Sequence, residues 1–298
     1  MENRMLKGYL YAVLSAVIFG CMPLMATLIY AGGMTPTALV FWRNLLALPG
    51  MALVAFWERR TLKIPPRSLP SIVWLAFFGC TATPILLFSS YRYIASGTAT
   101  VFHFVYPVAV VLMGLLLKKR IGPAGLVSVA LCMVGVALFY DPGASVNLAG
   151  SAMALGSGVI FAVYIVLLET FRYKEVSGFL LSFYIAAASA AMSGVICAVT
   201  GQFAVPVSLS HWGTCLLFAL LMTLGAMSLF QQAAILIGGE RASVLSTLEP
   251  ITSIVVGVLV FQERVGPNTL AGAALVIAAS LIIALSDLKQ ARAAERSA

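Results

Sequence analysis

The chain has 298 residues, 61% of them hydrophobic and 9% charged, with a mean hydropathy of +1.03. That composition excludes a soluble domain with a hydrated surface. The net charge of +8 sits in polar segments between apolar runs, so it reports membrane orientation and not nucleic-acid binding.

The apolar runs are continuous and do not alternate, which excludes a transmembrane barrel and predicts spanning helices. A hydrocarbon core about 30 Å thick takes roughly 20 residues of helix. Ten spans are expected, at 8–30, 36–57, 70–91, 98–117, 122–140, 149–168, 177–200, 211–236, 242–261 and 267–286. The first resembles a signal peptide, because Arg4 and Lys7 precede its apolar run. It runs on past Cys21, however, and its stretch Ala12–Phe19 recurs at Ala154–Phe161 in the sixth span. A segment with an internal copy belongs to the fold.

Arg43 lies within the second span and is expected to snorkel toward the outer surface. The third span contains Leu87-Phe-Ser-Ser90, matched in the eighth by Leu229-Phe-Gln-Gln232. Ser89 and Gln231 are therefore candidates to meet a substrate's polar end; helix–helix hydrogen bonding is the alternative. Tyr91-Arg92-Tyr93 falls at the outer mouth, as an aromatic belt does.

The clearest copies are the fourth and ninth spans. Pro107 sets against Pro250, Gly114 against Gly257, and Arg-Ile-Gly-Pro ending at Pro123 against Arg-Val-Gly-Pro ending at Pro267. The chain thus divides into two units, 1–146 and 147–298, joined near Asp141–Asn147. Five spans is an odd number, so the second unit is inverted relative to the first. Inverted repeats place a binding site at the midplane between them and permit alternating access.

Orientation follows from the basic residues. With the N-terminus in the cytoplasm, the inside collects Arg4, Lys7, Arg59, Arg60, Lys63, Arg67, Lys118, Lys119, Arg120, Arg172, Lys174, Arg241, Lys289, Arg292 and Arg296. The outside keeps Arg92 and Arg264. Both termini are expected inside, in a bacterial inner membrane. The five cysteines all fall in apolar runs without a Cys-x-x-Cys, which argues for free thiols and against a disulfide frame or metal site.

No phosphate loop, zinc motif, nucleophile elbow or carboxylate pair is present, so an enzyme is not expected, and neither is a metal or cofactor. Glu249 and His103 are the ionisable groups most clearly at mid-span, where charge is costly. His103 and Tyr106 share a helix face, as do Ser246 and Glu249. Either these groups face a wet cavity, or Glu249 is neutral and His103 satisfied in the packing. Pro107 and Pro250 each free a carbonyl one turn earlier, making a hinge or a static kink. Phe19, Phe102, Phe161 and Tyr164 complete an aromatic set on the repeat-related helices.

Ten spans in two inverted repeats, the Ala-x-x-x-Ala-x-x-Phe-Gly stretch of the first span, Glu249-Pro250, and the Gly-Pro opening the last span resemble the drug/metabolite transporter superfamily. The match is to its EamA-type exporters, bacterial aromatic amino acid exporters among them. That resemblance implies export of amino acids or related metabolites, through a cavity walled by spans 1, 3, 4, 6, 8 and 9. It also implies that spans 5 and 10, rich in small residues around Gly135 and Ala279, pack where the halves meet.

The fourth and ninth spans hold no lysine or arginine, which disfavours anionic solutes. The expected substrate is an amino acid with an aromatic or large apolar side chain. Its ammonium would meet Tyr106 or Glu249, and its carboxylate His103 or helix amides. A lipophilic-drug exporter, a channel-like facilitator and a membrane scaffold are the competing readings. The expected surroundings are the lipid bilayer and a small solute, with no nucleic acid, and a monomer suffices.

Overall fold

The computed structural model describes residues 2–59, 62–94, 96–118, 122–138, 147–170, 178–261 and 266–296. Nearly all of these are helical, and no strand occurs among them. The expected join at 141–146 lies outside the described residues, as do Arg60, Lys119, Arg120, Arg172, Lys174 and Arg264.

In chain order the helices are α1 (Glu2–Phe19), α2 (Met22–Ala31), α3 (Pro36–Arg59), α4 (Leu69–Leu75), α5 (Thr83–Ser90), α6 (Ser96–His103), α7 (Tyr106–Leu116) and α8 (Pro123–Ala137). The second half has α9 (Leu148–Thr170), α10 (Phe179–Thr200), α11 (Leu209–Phe218), α12 (Ser228–Ile237), α13 (Gly239–Ser246), α14 (Glu249–Phe261) and α15 (Pro267–Arg296). Seven segments are long and apolar enough to cross a membrane: Arg4–Ala31, Pro36–Glu58, Pro66–Ser90, Thr98–Leu116, Leu148–Glu169, Phe179–Thr200 and Leu209–Ile237. Pro123–Ala137 and Leu270–Ile282 are shorter apolar helices.

Two kinds of irregularity recur in both halves. Proline interrupts the fourth and ninth expected spans. Pro107 has no N–H for the His103 carbonyl, and Pro250 none for that of Ser246. The chain responds with tight turns, Val105 N donating to Phe102 O at 3.3 Å and Leu248 N to Leu245 O at 3.1 Å. The helices therefore end at His103 and Ser246 and restart at Tyr106 and Glu249. The second irregularity is π-helical. Ala76–Ala82 links α4 to α5, and Ala219–Met227 links α11 to α12.

Packing pairs the halves reciprocally. α3 lies along α10 and α8 along α15. α1 packs on α12 and α13, while α9 packs on α5, α6 and α7. Small residues permit the α8–α15 approach: a Cβ at Gly135 would stand 2.8 Å from the Gly272 carbonyl, and Val276 and Ala279 are fully buried.

A polar seam joins α3 and α10 to the π segment of the third expected span. Asn44 Nδ2 donates to Ser189 Oγ at 3.1 Å, Thr81 Oγ1 meets the same hydroxyl at 2.9 Å, and Ser189 Oγ donates to the Cys80 carbonyl at 2.8 Å. Such bonds satisfy groups that no water reaches.

Candidate functional site

The interrupted and π-helical segments converge on one cavity, of about 510 Å³ counted to its open mouth. α1 and α2 supply Phe19 and Met22. The third expected span supplies Gly79, Thr83, Pro84, Leu87 and Phe88. The broken helices supply His103, Tyr106, Ser246 and Glu249, and Phe161, Met227 and Phe230 close the wall. These come from all six spans that the resemblance implied. Arg43, from α3, is an addition to them.

Phe161 is the hub of the wall. Its ring lies edge-on to Tyr106 at 5.1 Å, 5.6 Å from His103 and 5.4 Å from Phe230. Behind it, Tyr164 stacks on Phe161 at 5.6 Å. Tyr164 is fully buried with its ring against Gly79, where a Cβ would collide with it. The result is a rigid aromatic surface of the kind that holds an apolar or aromatic body.

His103 is oriented from behind. Its Nδ1 lies 2.8 Å from Ser157 Oγ, and Ser157 Oγ donates to the Ala154 carbonyl at 2.6 Å. Since that hydroxyl has one proton, Nδ1 must be the donor to it. A neutral His103 then presents Nε2 as an acceptor, which suits an ammonium better than the carboxylate expected from the sequence. Tyr106 is fully buried, with its hydroxyl against that of Ser246, which donates to the Ala242 carbonyl at 2.9 Å. Glu249 is 9% exposed. Its carboxylate has no hydrogen bond or ion pair among the described residues.

Four expected site residues lie off the wall. Ser89 is half-buried and outside the lining, and Gln231 accepts a hydrogen bond from Ser182 between helices. Phe102 packs against a buried apolar group that includes Ile29, Leu39 and Ala154, and Tyr164 supports the wall without lining it. Arg43 requires a correction. It does not snorkel: the side chain is 3% exposed, stands over the Phe88 ring at 5.9 Å and lines the cavity. The cavity thus contains a cation, which removes the argument that no fixed cation is at hand for a solute's negative charge. Thr83 and Met227 went unread, and Phe88 and Phe230 were read only as part of the matched stretches, because the neighbouring polar residues drew the site to Ser89 and Gln231.

Comparison with known proteins follows the same lines. The profile described as "EamA-like transporter family" matches residues 6–140 and again 148–285. "Uncharacterized transporter YwfM" of Bacillus subtilis (strain 168) is 26% identical over 270 residues, 86% of each chain. "Uncharacterized inner membrane transporter YicL" of Salmonella typhimurium is 26% identical, covering 97% of this chain and 98% of that one. "Threonine/homoserine exporter RhtA" of Escherichia coli (strain K12) is 27% identical over 84% of this chain and 83% of its own. A crystal structure superposes with a TM-score of 0.75 at 19% identity, covering 95% of this chain and 98% of that one, a likeness of fold alone.

Proposed function

This chain belongs to the EamA-like transporter family, and on that premise we propose that it exports amino acids with aromatic or large apolar side chains by alternating access. It is a multi-pass membrane transporter, and the direction is taken from the exporters among its relatives. The reading includes ten spans in two inverted five-helix repeats, 1–146 and 147–298, in the bacterial inner membrane with both ends inside.

One observation carries it. The aromatic surface centred on Phe161 shares a single cavity with Glu249 and His103, two acceptors for an ammonium. Reciprocal packing of the two halves supports the two-repeat arrangement, since α1 on α12 and α13 is answered by α9 on α5 and α6. The RhtA relatives are named for small polar amino acids; the apolar wall here favours larger side chains.

Counterflow in proteoliposomes across the twenty amino acids, with His103→Ala and Tyr106→Ala beside the parent, tests the reading. Saturable uptake of phenylalanine, tryptophan or leucine that collapses in both variants is the expected result. Uptake without saturation or counterflow would mean a facilitator, and equal carriage of unrelated lipophilic solutes a drug exporter. No flux would leave a scaffold.

A further inference from the structure

We propose that Arg43 is the cavity's carboxylate-binding group, so that both charges of the transported solute are held, its carboxylate by Arg43 and its ammonium by Glu249 and His103. This deepens the amino acid reading and rests on it.

Arg43 is 3% exposed on a helix that runs through the membrane, and its Nε is buried without a hydrogen-bond partner. Among the described residues no carboxylate pairs with it; its neighbours are the Phe88 ring at 5.9 Å and the Cys80 thiol. A buried guanidinium without a counter-charge is among the least favourable states a side chain can occupy in a bilayer. Glu249 is in the same condition, buried in the same cavity without an ion pair. The guanidinium and the carboxyl group line one space without forming an ion pair. A zwitterion between them supplies each with its missing partner.

The remaining polar groups of the wall point the same way. Thr83 Oγ1 donates to the Phe78 carbonyl at 2.7 Å and Ser246 Oγ to that of Ala242 at 2.9 Å, so both hydroxyl protons are committed. His103 donates from Nδ1 to Ser157. With the Tyr106 hydroxyl donating to Ser246 Oγ, the donors left for a carboxylate are those of the guanidinium, whose planar fork matches two carboxylate oxygens. The acceptors left for an ammonium are Glu249 and His103 Nε2. Phe88, under the guanidinium, fixes its plane by a cation–π contact.

The experiment uses three probes of one shape: phenylalanine, phenethylamine, which lacks the carboxylate, and 3-phenylpropionate, which lacks the ammonium. Ligand-induced thermal stabilisation of the purified full chain reads binding, and counterflow in proteoliposomes reads transport. In Arg43→Gln the half-saturating concentrations of phenylalanine and 3-phenylpropionate should rise by about thirtyfold or more. The phenethylamine response should stay at the parent's level, which also certifies the fold. Glu249→Gln should give the mirror image, losing phenethylamine and keeping 3-phenylpropionate. Arg43→Lys covers the case in which glutamine prevents folding, and should bind both carboxylates more weakly than the parent while binding phenethylamine as the parent does. The proposal is overturned if Arg43→Gln binds 3-phenylpropionate as the parent does, if Arg43→Lys weakens the three probes equally, or if the parent ignores 3-phenylpropionate. Failure of the amino acid reading looks different: 3-phenylpropionate binds through Arg43 while no amino acid is carried.

Discussion

Ser157 has one proton to donate and gives it to the Ala154 carbonyl, so the imidazole of His103 has its tautomer chosen by a neighbour that never touches the cavity. That geometry fixes which solute end the ring can serve. Replacing Ser157 with Ala leaves Nδ1–H buried and unpaired, at a cost of about 1–3 kcal/mol. We expect a lower thermal midpoint, and a weaker half-saturation for amino acids because the ring is no longer held. A midpoint and an affinity equal to the parent's would show that Ser157 does not orient the ring. How legible such residues were in the sequence depended on depth and face separately. Glu249, His103, Tyr106, Ser246, Phe19 and Phe161 were legible because the internal repeat placed them at matched depths on corresponding helices. Arg43 was misread because depth was its only signal, and a span's rotation about its own axis leaves no mark in a run of apolar residues.

At the level of the element, the broken helices were legible and the π segments were not. Proline announces its missing N–H, so interruptions before Pro107 and Pro250 followed from chemistry. A π-helical stretch has no comparable residue signature. Its extra residue per turn rotates everything beyond it by about 100° relative to an α-helix. Ser89 and Gln231 follow the segments Ala76–Ala82 and Ala219–Met227 and are absent from the wall, while their neighbours Phe88 and Phe230 line it. The breaks also give a direct test of motion. Pro107→Ala and Pro250→Ala restore an N–H to the His103 and Ser246 carbonyls and favour straight helices. If the breaks are hinges, thermal midpoints hold or rise while counterflow slows by about tenfold, roughly 1.4 kcal/mol of barrier. Unchanged rates in both variants would make them fixed bends.

For the whole molecule, duplication is the governing fact, and the family profile matching twice along the chain agrees with it. The long helices pair across the halves, α3 with α10 and α8 with α15, so neither half completes its packing alone. Reporter fusions after Asn147 and at the C-terminus should score outside and inside respectively, on the strength of the basic-residue bias. The reverse pattern would overturn the orientation and the export direction together.

Glycine stands against the backbone at both helix breaks. A Cβ at Gly158 would collide with the His103 carbonyl, and one at Gly20 would stand 2.8 Å from that of Glu249. Neither glycine lines the cavity. In a saturation library selected for export, both positions should nevertheless emerge as intolerant as His103 and Glu249. A bulky residue at either would push two helices apart at the point where their backbones are exposed. Tolerance of alanine and valine at 20 and 158 in the surviving clones would refute this. If intolerance holds, a ranking by mutational sensitivity alone would place four residues in the binding site when two of them serve to keep broken helices in register.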